Sequence, residues 1–288
     1  MTFKSGFVSI IGNPNVGKST LMNKLLKEKV SIVSSRPQTT RTKIMGVLTE
    51  DDAQIVFLDT PGIHSPRNKL GEYMSKVIDE AKADGDIIMY MIDDRQFLNF
   101  PEFPQRKKIF LLINKTDEMS QTQLLPLIDK ANDIANFAEI IPISAKTGKG
   151  LNNLTDLIKK HLPEGPKFYP EDTLTDQPER VIAAEIIREK VFRLMNDEIP
   201  FGVSTEVITM KYDEYHDITN IEANIYCEKD SHKGIIIGKD GAVLKRVGSE
   251  ARMEIERMVD SKVFLRLWVK VKKGWRDEKI QLKKMGYD

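Results

Sequence analysis

The chain has one cysteine, Cys227, in 288 residues. A single thiol excludes an internal disulfide, and the expectation is a packed core in a reducing compartment. Its four histidines, His64, His161, His216 and His232, have neither ligand spacing nor cysteine partners, so no zinc site is expected. No apolar run is long enough to cross a bilayer, and Met1-Thr2-Phe3-Lys4 opens no signal-peptide core. The expectation is a soluble, cytoplasmic chain. Internal repeats and low-complexity tracts are also missing. Overall charge is nearly balanced, at 44 basic against 43 acidic residues, but it is unevenly spread. Residues 231–288 carry 15 Lys+Arg against 8 Asp+Glu, and the first 230 carry 29 against 35. A basic C-terminal region points to an anionic partner there.

Against this background three short motifs stand in order: GNPNVGKS at Gly12–Ser19, DTPG at Asp59–Gly62 and NKTD at Asn114–Asp117. The first follows the apolar run Phe7–Ile11 and precedes the helical spacing of Ser19–Leu26. A loop of Gly12, Asn13, Pro14, Asn15, Val16 and Gly17 between strand and helix can turn its N–H groups onto phosphate oxygens. Lys18 would reach the β- and γ-phosphates, the Ser19 hydroxyl would bind Mg²⁺, and Thr20 begins the helix beside them.

The second motif ends the strand Gln54–Leu58. Asp59 would hold Mg²⁺ through water, and the Gly62 N–H would face the γ-phosphate, with Thr60, Pro61 and Ile63 completing the loop. NKTD follows the strand Ile109–Ile113. The Asp117 carboxylate would accept hydrogen bonds from N1–H and the N2 amino group of guanine, a donor pair adenine does not offer. Asn114 would tie this loop to the phosphate loop, and the Lys115 stem would cover the base. Ser144, Ala145 and Lys146 follow the strand Ile140–Ile143 and would support guanine O6 through backbone N–H. In Pro37-Gln38-Thr39-Thr40-Arg41, Thr40 rather than Thr39 is expected to complete the Mg²⁺ shell when a γ-phosphate is present. Lys18, Thr40 and Gly62 are thus the expected catalytic groups for hydrolysis of GTP to GDP and phosphate.

From residue 7 to about 161 apolar runs alternate with helical patterns, the βαβ rhythm of a mixed, mostly parallel sheet. Pro163, Pro166, Pro170 and Pro178 punctuate a polar linker. Beyond it the order is helix (181–196), strands (203–211 and 218–227), a loop, a long helix (242–258) and a strand (262–269). The expected domains are 1–163, a linker at 164–179, 180–275 and a tail at 276–288.

The loop reads Ile237-Gly238-Lys239-Asp240-Gly241 between two helices, inside the basic segment. In the order α-β-β-α-α-β this is the GXXG loop of a KH fold, which clamps about four nucleotides of single-stranded RNA. Lys245 and Arg246 would meet phosphates. Trp275 could stack on a base, but packing of the tail onto the sheet is the preferred reading.

GNPNVGKST, PQTTR, DTPGIH, NKTD, Leu162–Pro166, Glu185–Lys190 and GIIIGKDG together resemble the bacterial Era family of GTPases over nearly the whole chain. The resemblance implies an α/β P-loop GTPase domain followed by an α+β type II KH domain. It further implies a monomeric 30S assembly factor that binds small-subunit (16S) rRNA near its 3′ end and touches the membrane peripherally. Ile63 stands where Ras-like GTPases place a water-orienting glutamine, so hydrolysis is expected to be slow. Asn15 matches a position that binds K⁺ in related GTPases. The segment 97–104 is shorter than the family pattern. A constitutive RNA-binding protein is a competing reading, but Thr40 and Asp59 would then have no γ-phosphate to sense. A membrane-surface GTPase is another, but Gln281–Met285 is too short and weakly apolar for a strong anchor.

Overall fold

The computed structural model describes residues 2–34, 36–93, 101–104, 106–195 and 199–287. Of the shortened segment noted above, residues 97–100 lie outside the described residues. The chain divides into two compact units, one of residues 1–65 and 74–176, the other of residues 66–73 and 177–288.

The first unit is built on six strands: β1 (Lys4–Gly12), β2 (Ile44–Thr49), β3 (Ala53–Asp59), β4 (Ile87–Ile92), β5 (Lys108–Ile113) and β6 (Glu139–Pro142). Their order is β2-β3-β1-β4-β5-β6, parallel throughout except for β2 against β3. All six side chains of the β4 run IIMYMI are buried. Such a run has no polar face, which suits a central parallel strand covered on both sides. The helices are α1 (Lys18–Leu26), α2 (Lys69–Asp84), α3 (Gln121–Ile134) and α4 (Leu151–His161). Val8, Ile10, Leu21, Phe57, Met89, Leu112 and Leu154 form one core, while Ile11, Ile78, Ile88, Tyr90, Leu111 and Ala131 form the other. The neighbouring residues Ile10 and Ile11 thus feed opposite faces of the sheet, as the two-residue period of a strand requires. Strand order reverses at β1, and in open α/β sheets ligands bind at the carboxyl ends of strands beside such a point.

The proline-rich stretch after α4 is held along this sheet. Gln54 Nε2 donates to Tyr169 O (2.9 Å), its Oε1 accepts from Phe168 N (2.7 Å), and Val47 N donates to Leu174 O (2.8 Å). The Val47 bond covers the edge of β2, while Gln54 of β3 ties down residues 168 and 169.

The second unit contains α5 (Glu179–Leu194), β7 (Ser204–Asp213), β8 (Ile218–Cys227), α6 (Asp230–Ile237), α7 (Ala242–Val259), β9 (Lys262–Val271) and α8 (Lys279–Lys284). β7 pairs antiparallel with β8, and β8 pairs parallel with β9. A parallel pair needs a crossover, here supplied by α6 and α7. Ile187, Val191, Ile221, Ile225, Ile236, Val247, Ala251 and Val269 make the core. Arg188 is fully buried in α5 and pairs with Glu185, and buried Lys190 pairs with Glu254 of α7. The charged signature at 185–190 is therefore structural, since each buried charge is compensated by a neighbour. Trp275 is fully buried, and its indole N–H donates to Gly202 O (3.0 Å). It packs the tail and has no face left for a base.

Candidate functional site

β1 and α1 deliver the phosphate loop. Gly17 takes φ +102° as it leads into α1, and a Cβ there would lie 2.4 Å from Asn114 Nδ2. Only glycine fits both the conformation and the close approach. Asn15 is in the left-handed region at φ 65° and exposed, whereas Val16 is buried in the core and anchors the loop. A cleft of about 460 Å³ is lined by Pro14, Asn15, Gly17, Lys18, Ser19, Thr20, Thr40, Gly62, Asn114, Lys115, Asp117, Ala145 and Lys146, among others.

Lys18 is buried, and its ammonium donates to Gly12 O and Asn13 O, both at 3.0 Å. Burial pulls its pKa down to about 8, partly opposed by the Asp59 carboxylate. Asp59, at the end of β3, is fully buried. Its Oδ2 accepts from Ser19 Oγ (2.6 Å), Ser31 Oγ (2.9 Å) and Thr40 Oγ1 (3.4 Å), and Ser19 Oγ lies 3.0 Å from Thr40 Oγ1. Burial raises the Asp59 pKa, opposed first by Lys18 and then by the three hydroxyls. Three residues far apart in sequence, Ser19, Thr40 and Asp59, thus meet at one point. Thr39 instead donates to Arg36 O (2.7 Å).

Asp59 Oδ1 is buried with no hydrogen-bond partner. A buried carboxylate oxygen without a partner is costly, and a cation or its bound water would satisfy it. The hydroxyl–carboxylate cluster therefore fits Mg²⁺. Ser19, Thr40 and Asp59 would hold the ion, which when bound neutralises charge building on the β- and γ-oxygens. Among the described residues no separate cluster of three His, Cys, Asp or Glu could hold a metal.

The other residues of the second motif take supporting places. Thr60 Oγ1 donates to Ile10 O (2.8 Å), and Pro61 is buried behind the cleft. A Cβ on Gly62 would lie 2.8 Å from Pro14, so the two loops meet only because this residue is glycine. Ile63 N donates to Gly12 O (3.1 Å), and its side chain packs on the second core.

At the base end Asn114 Nδ2 donates to Val16 O (2.6 Å) and its Oδ1 accepts from Ala145 N (2.9 Å). One side chain thereby ties the phosphate loop, the NKTD loop and the loop after β6. The Ala145 amide, donating to Asn114, also braces this loop. Lys115, at φ 62°, bonds Asp93 Oδ2 (2.7 Å), which pins its stem. Asp117 is exposed, and Ser144 Oγ donates to its Oδ1 (2.6 Å), lowering the carboxyl pKa. Ser144 is thus a side-chain orienter of Asp117.

Ser31, Asp93 and Asn23 were not foreseen. Asn23 holds the Ser31 backbone from both sides, with Ser31 N on its Oδ1 (2.9 Å) and its Nδ2 on Ser31 O (2.6 Å). No sequence spacing links them to the motifs. Asp93 offered one clue, as an acid directly after a wholly apolar strand.

In the second unit Ile237 ends α6 and packs on the core. Gly238 has φ 74° and ψ 173°, Asp240 φ 52°, and Gly241 φ 74° at the start of α7. Lys239, Asp240, Lys245 and Arg246 are exposed. Arg246 Nε bonds Glu250 Oε1 (2.9 Å), so its charge is shared along α7.

Residues 7–125 match the family model described as a 50S ribosome-binding GTPase, and residues 198–276 match the KH domain model. The chain is 52% identical over 293 residues to GTPase Era of Clostridium tetani and 52% over 295 residues to GTPase Era of Clostridium novyi, covering 99% of this chain and of each relative. Aquifex aeolicus Era, as a variant bound to GDP.AlF4-, has a TM-score of 0.94 at 39% identity. Era in complex with MgGDPNP and nucleotides 1506-1542 of 16S ribosomal RNA has a TM-score of 0.95 at 39% identity. Both structural matches cover 99% of each chain. With a phosphate loop, a cation cluster and a base-end loop meeting in one cleft, and full-length likeness to these relatives, the chain belongs to the Era family of GTPases.

Proposed function

We propose that this GTPase is a GTP-controlled clamp on the 3′ region of small-subunit rRNA that assists 30S subunit assembly. The observation that carries it is the pairing, on one chain, of a γ-phosphate-sensing cluster (Ser19, Thr40, Asp59) with an exposed, glycine-flanked Lys239-Asp240 loop. The relative solved with 16S rRNA nucleotides supports the choice of RNA.

In this reading residues 1–163 bind nucleotide, 164–179 connect, 180–275 bind RNA, and 276–288 form the tail. Gly12–Thr20, Asp59–Ile63, Asn114, Lys115, Asp117 and Ser144–Lys146 form the nucleotide site, with Mg²⁺ on Ser19, Thr40 and Asp59. The protein acts as a monomer in the cytoplasm.

Hydrolysis is slow because Ile63 has no hydrogen-bonding side chain to orient water, and its amide is engaged by Gly12 O. Lys18 supplies positive charge at the γ-phosphate, while Thr40 and the Gly62 N–H position it. Asn15, exposed at the rim in a left-handed conformation, offers its side-chain oxygen to K⁺. Hydrolysis in K⁺ buffer should exceed that in Na⁺ buffer, and equal rates would remove K⁺ from the scheme. Peripheral membrane contact rests on family likeness and is tested by liposome sedimentation.

The central test is binding of a labelled oligonucleotide matching the small-subunit rRNA 3′ end, with GDP and then with a non-hydrolysable GTP analogue. Tighter binding with the analogue, lost in Lys239→Glu, is the expected result. Equal affinity in both states would leave a constitutive RNA binder. Gly238→Asp is a harsher control, since a Cβ at Gly238 would lie 2.4 Å from Val243.

A further inference from the structure

The sheet of the second unit has two faces, and the GXXG loop belongs to only one of them. On β8 the odd residues Ile221, Ala223, Ile225 and Cys227 enter the core beneath the helices. The even residues Asn220, Glu222, Asn224 and Tyr226 therefore take the opposite face. Their register partners on β9 are Phe264, Arg266, Trp268 and Lys270. Cross-strand partners share a face, so this row also points away from the helices.

The row alternates aromatic and cationic residues. Phe264 is 48% exposed and Trp268 43% exposed, unusual for rings this large. Four residues of strand put them about 13 Å apart. Between them the Arg266 guanidinium lies 5.0 Å from the Phe264 ring centroid and 3.3 Å from Glu222 Oε1. Lys262 and Lys270 are exposed at the ends of the row, and exposed Lys211 stands opposite Asn220 on β7. The acids on this face are engaged, Glu222 by Arg266, Glu206 by the Tyr226 hydroxyl (2.6 Å) and Asp213, opposite Ile218, by His216 (2.9 Å).

Between Phe264 and Trp268 no register partner is aliphatic, and Ile218, opposite Lys262, stands only at the end of the row. A buried apolar interface would favour aliphatic or uncharged positions between the rings. Here two exposed rings are separated and flanked by cations, the composition of a surface on which bases stack and phosphates are neutralised.

We propose that this face is a second binding site, for single-stranded RNA. Phe264 and Trp268 stack on two bases, and Arg266, Lys262 and Lys270 meet the phosphates. The site is on the opposite side of the sheet from Gly238–Gly241 and does not rest on the clamp reading of that loop. It would lengthen the RNA footprint beyond the four nucleotides a GXXG loop holds.

The two tryptophans make the test direct. Trp275 is fully buried, so an added solute reaches only Trp268. Titration of the full chain with a single-stranded oligonucleotide should quench the exposed tryptophan saturably. The quenching should persist in Lys239→Glu/Lys245→Glu, where the loop is disabled without altering a glycine. Phe264→Ala should weaken it about tenfold, and Arg266→Glu should both weaken it and reduce the salt slope by about one. Trp268→Phe should keep affinity, measured by anisotropy of a labelled oligonucleotide in the loop-disabled background, while abolishing the signal.

Three results would overturn the proposal. One is the absence of quenching at saturating RNA. Another is loss of quenching in the loop-disabled variant, which would make contact with Trp268 a consequence of clamping. The third is equal quenching by an oligo-glutamate peptide, which would leave charge attraction to an acidic protein segment in place of base stacking.

Discussion

The nucleotide cleft and the GXXG loop are both turns that lead into a helix through a positive-φ glycine, yet they are built oppositely. At Gly17 a Cβ would meet Asn114, and at Gly62 it would meet Pro14. At Gly241, the glycine that opens α7, nothing lies within 4 Å of the Cβ position, and the close approach in that loop is confined to Gly238 against Val243 within the same turn. The charged groups differ in the same way. Lys18 and Asp59 are buried and locked by hydrogen bonds, while Lys239 and Lys245 are exposed. A small triphosphate with defined chemistry is met by a preorganised, desolvated site, where each charge acts strongly. A flexible polyanion is met by an open backbone, because the ligand brings its own shape and the contacts are mostly to its phosphates.

The sharpest way to break the contrast is Lys18→Ala. It removes the buried ammonium held inside the phosphate loop by Gly12 O and Asn13 O, and GTP turnover should fall about a hundredfold to a thousandfold. Retention of RNA binding by the same variant, measured without nucleotide, would show the two sites failing separately.

Asp117→Ala should abolish the preference for GTP over ITP, which lacks the N2 amino group. A hydrogen bond to a charged acceptor contributes about 1.5–3 kcal/mol, so wild-type discrimination of at least about tenfold should fall to near unity in competition assays.

The glycines test the contrast most directly. Gly62→Ala forces Pro14 aside and should cost about 1–3 kcal/mol by overpacking, seen as a lowered melting temperature and weaker GTP binding. Gly241→Ala meets no atom and carries only its backbone conformation, a cost of roughly 1 kcal/mol. Beyond that small loss of stability, its effect should fall on RNA affinity and leave GTP binding unchanged.

The smallest effect is in pH. Lys18 titrates near 8 in the free cleft, and phosphates raise that value by favouring the ammonium. Above pH 8, GTP binding should take up a proton, and affinity should fall with pH by up to about tenfold per unit. Below pH 8 both states carry the proton and the slope should vanish. Calorimetry in buffers of different ionisation enthalpy measures the uptake. Folding has the opposite sign in the nucleotide-free protein. Unfolded lysine keeps its proton to about 10.5, so Lys18 adds stability as pH rises from about 8 to 10.5.

Much of the fold was legible because its strands are either continuous apolar runs or clean alternations. The run at 218–227 matched β8 end to end, and the helix expected at 242–258 is α7. The β2 strand and helix α2 were not singled out. β2 is a short edge strand joined to β3 by a tight hairpin, and its run Ile44–Thr49 is broken by Gly46. The start of α2 is marked only by Asn68, whose Oδ1 accepts from Gly71 N (2.9 Å). The nucleotide motifs were legible because phosphate and guanine recognition need fixed residue types at fixed spacing. Ser31 and Asp93 escaped because their roles come from a hydroxyl and a carboxylate brought in across the sheet.

The sequence by itself determined the order of the motifs, the α-β-β-α-α-β plan of the second unit and the basic bias of its end. These are local properties of period, turn chemistry and composition. Only the tertiary structure decided that Ser19, Thr40 and Asp59 meet at one buried point, that Asn114 joins three loops, and that Trp275 is packing while Trp268 faces outward. A step of one residue separates the two faces of a strand, but which face a helix covers is settled only when the chain has folded back on itself.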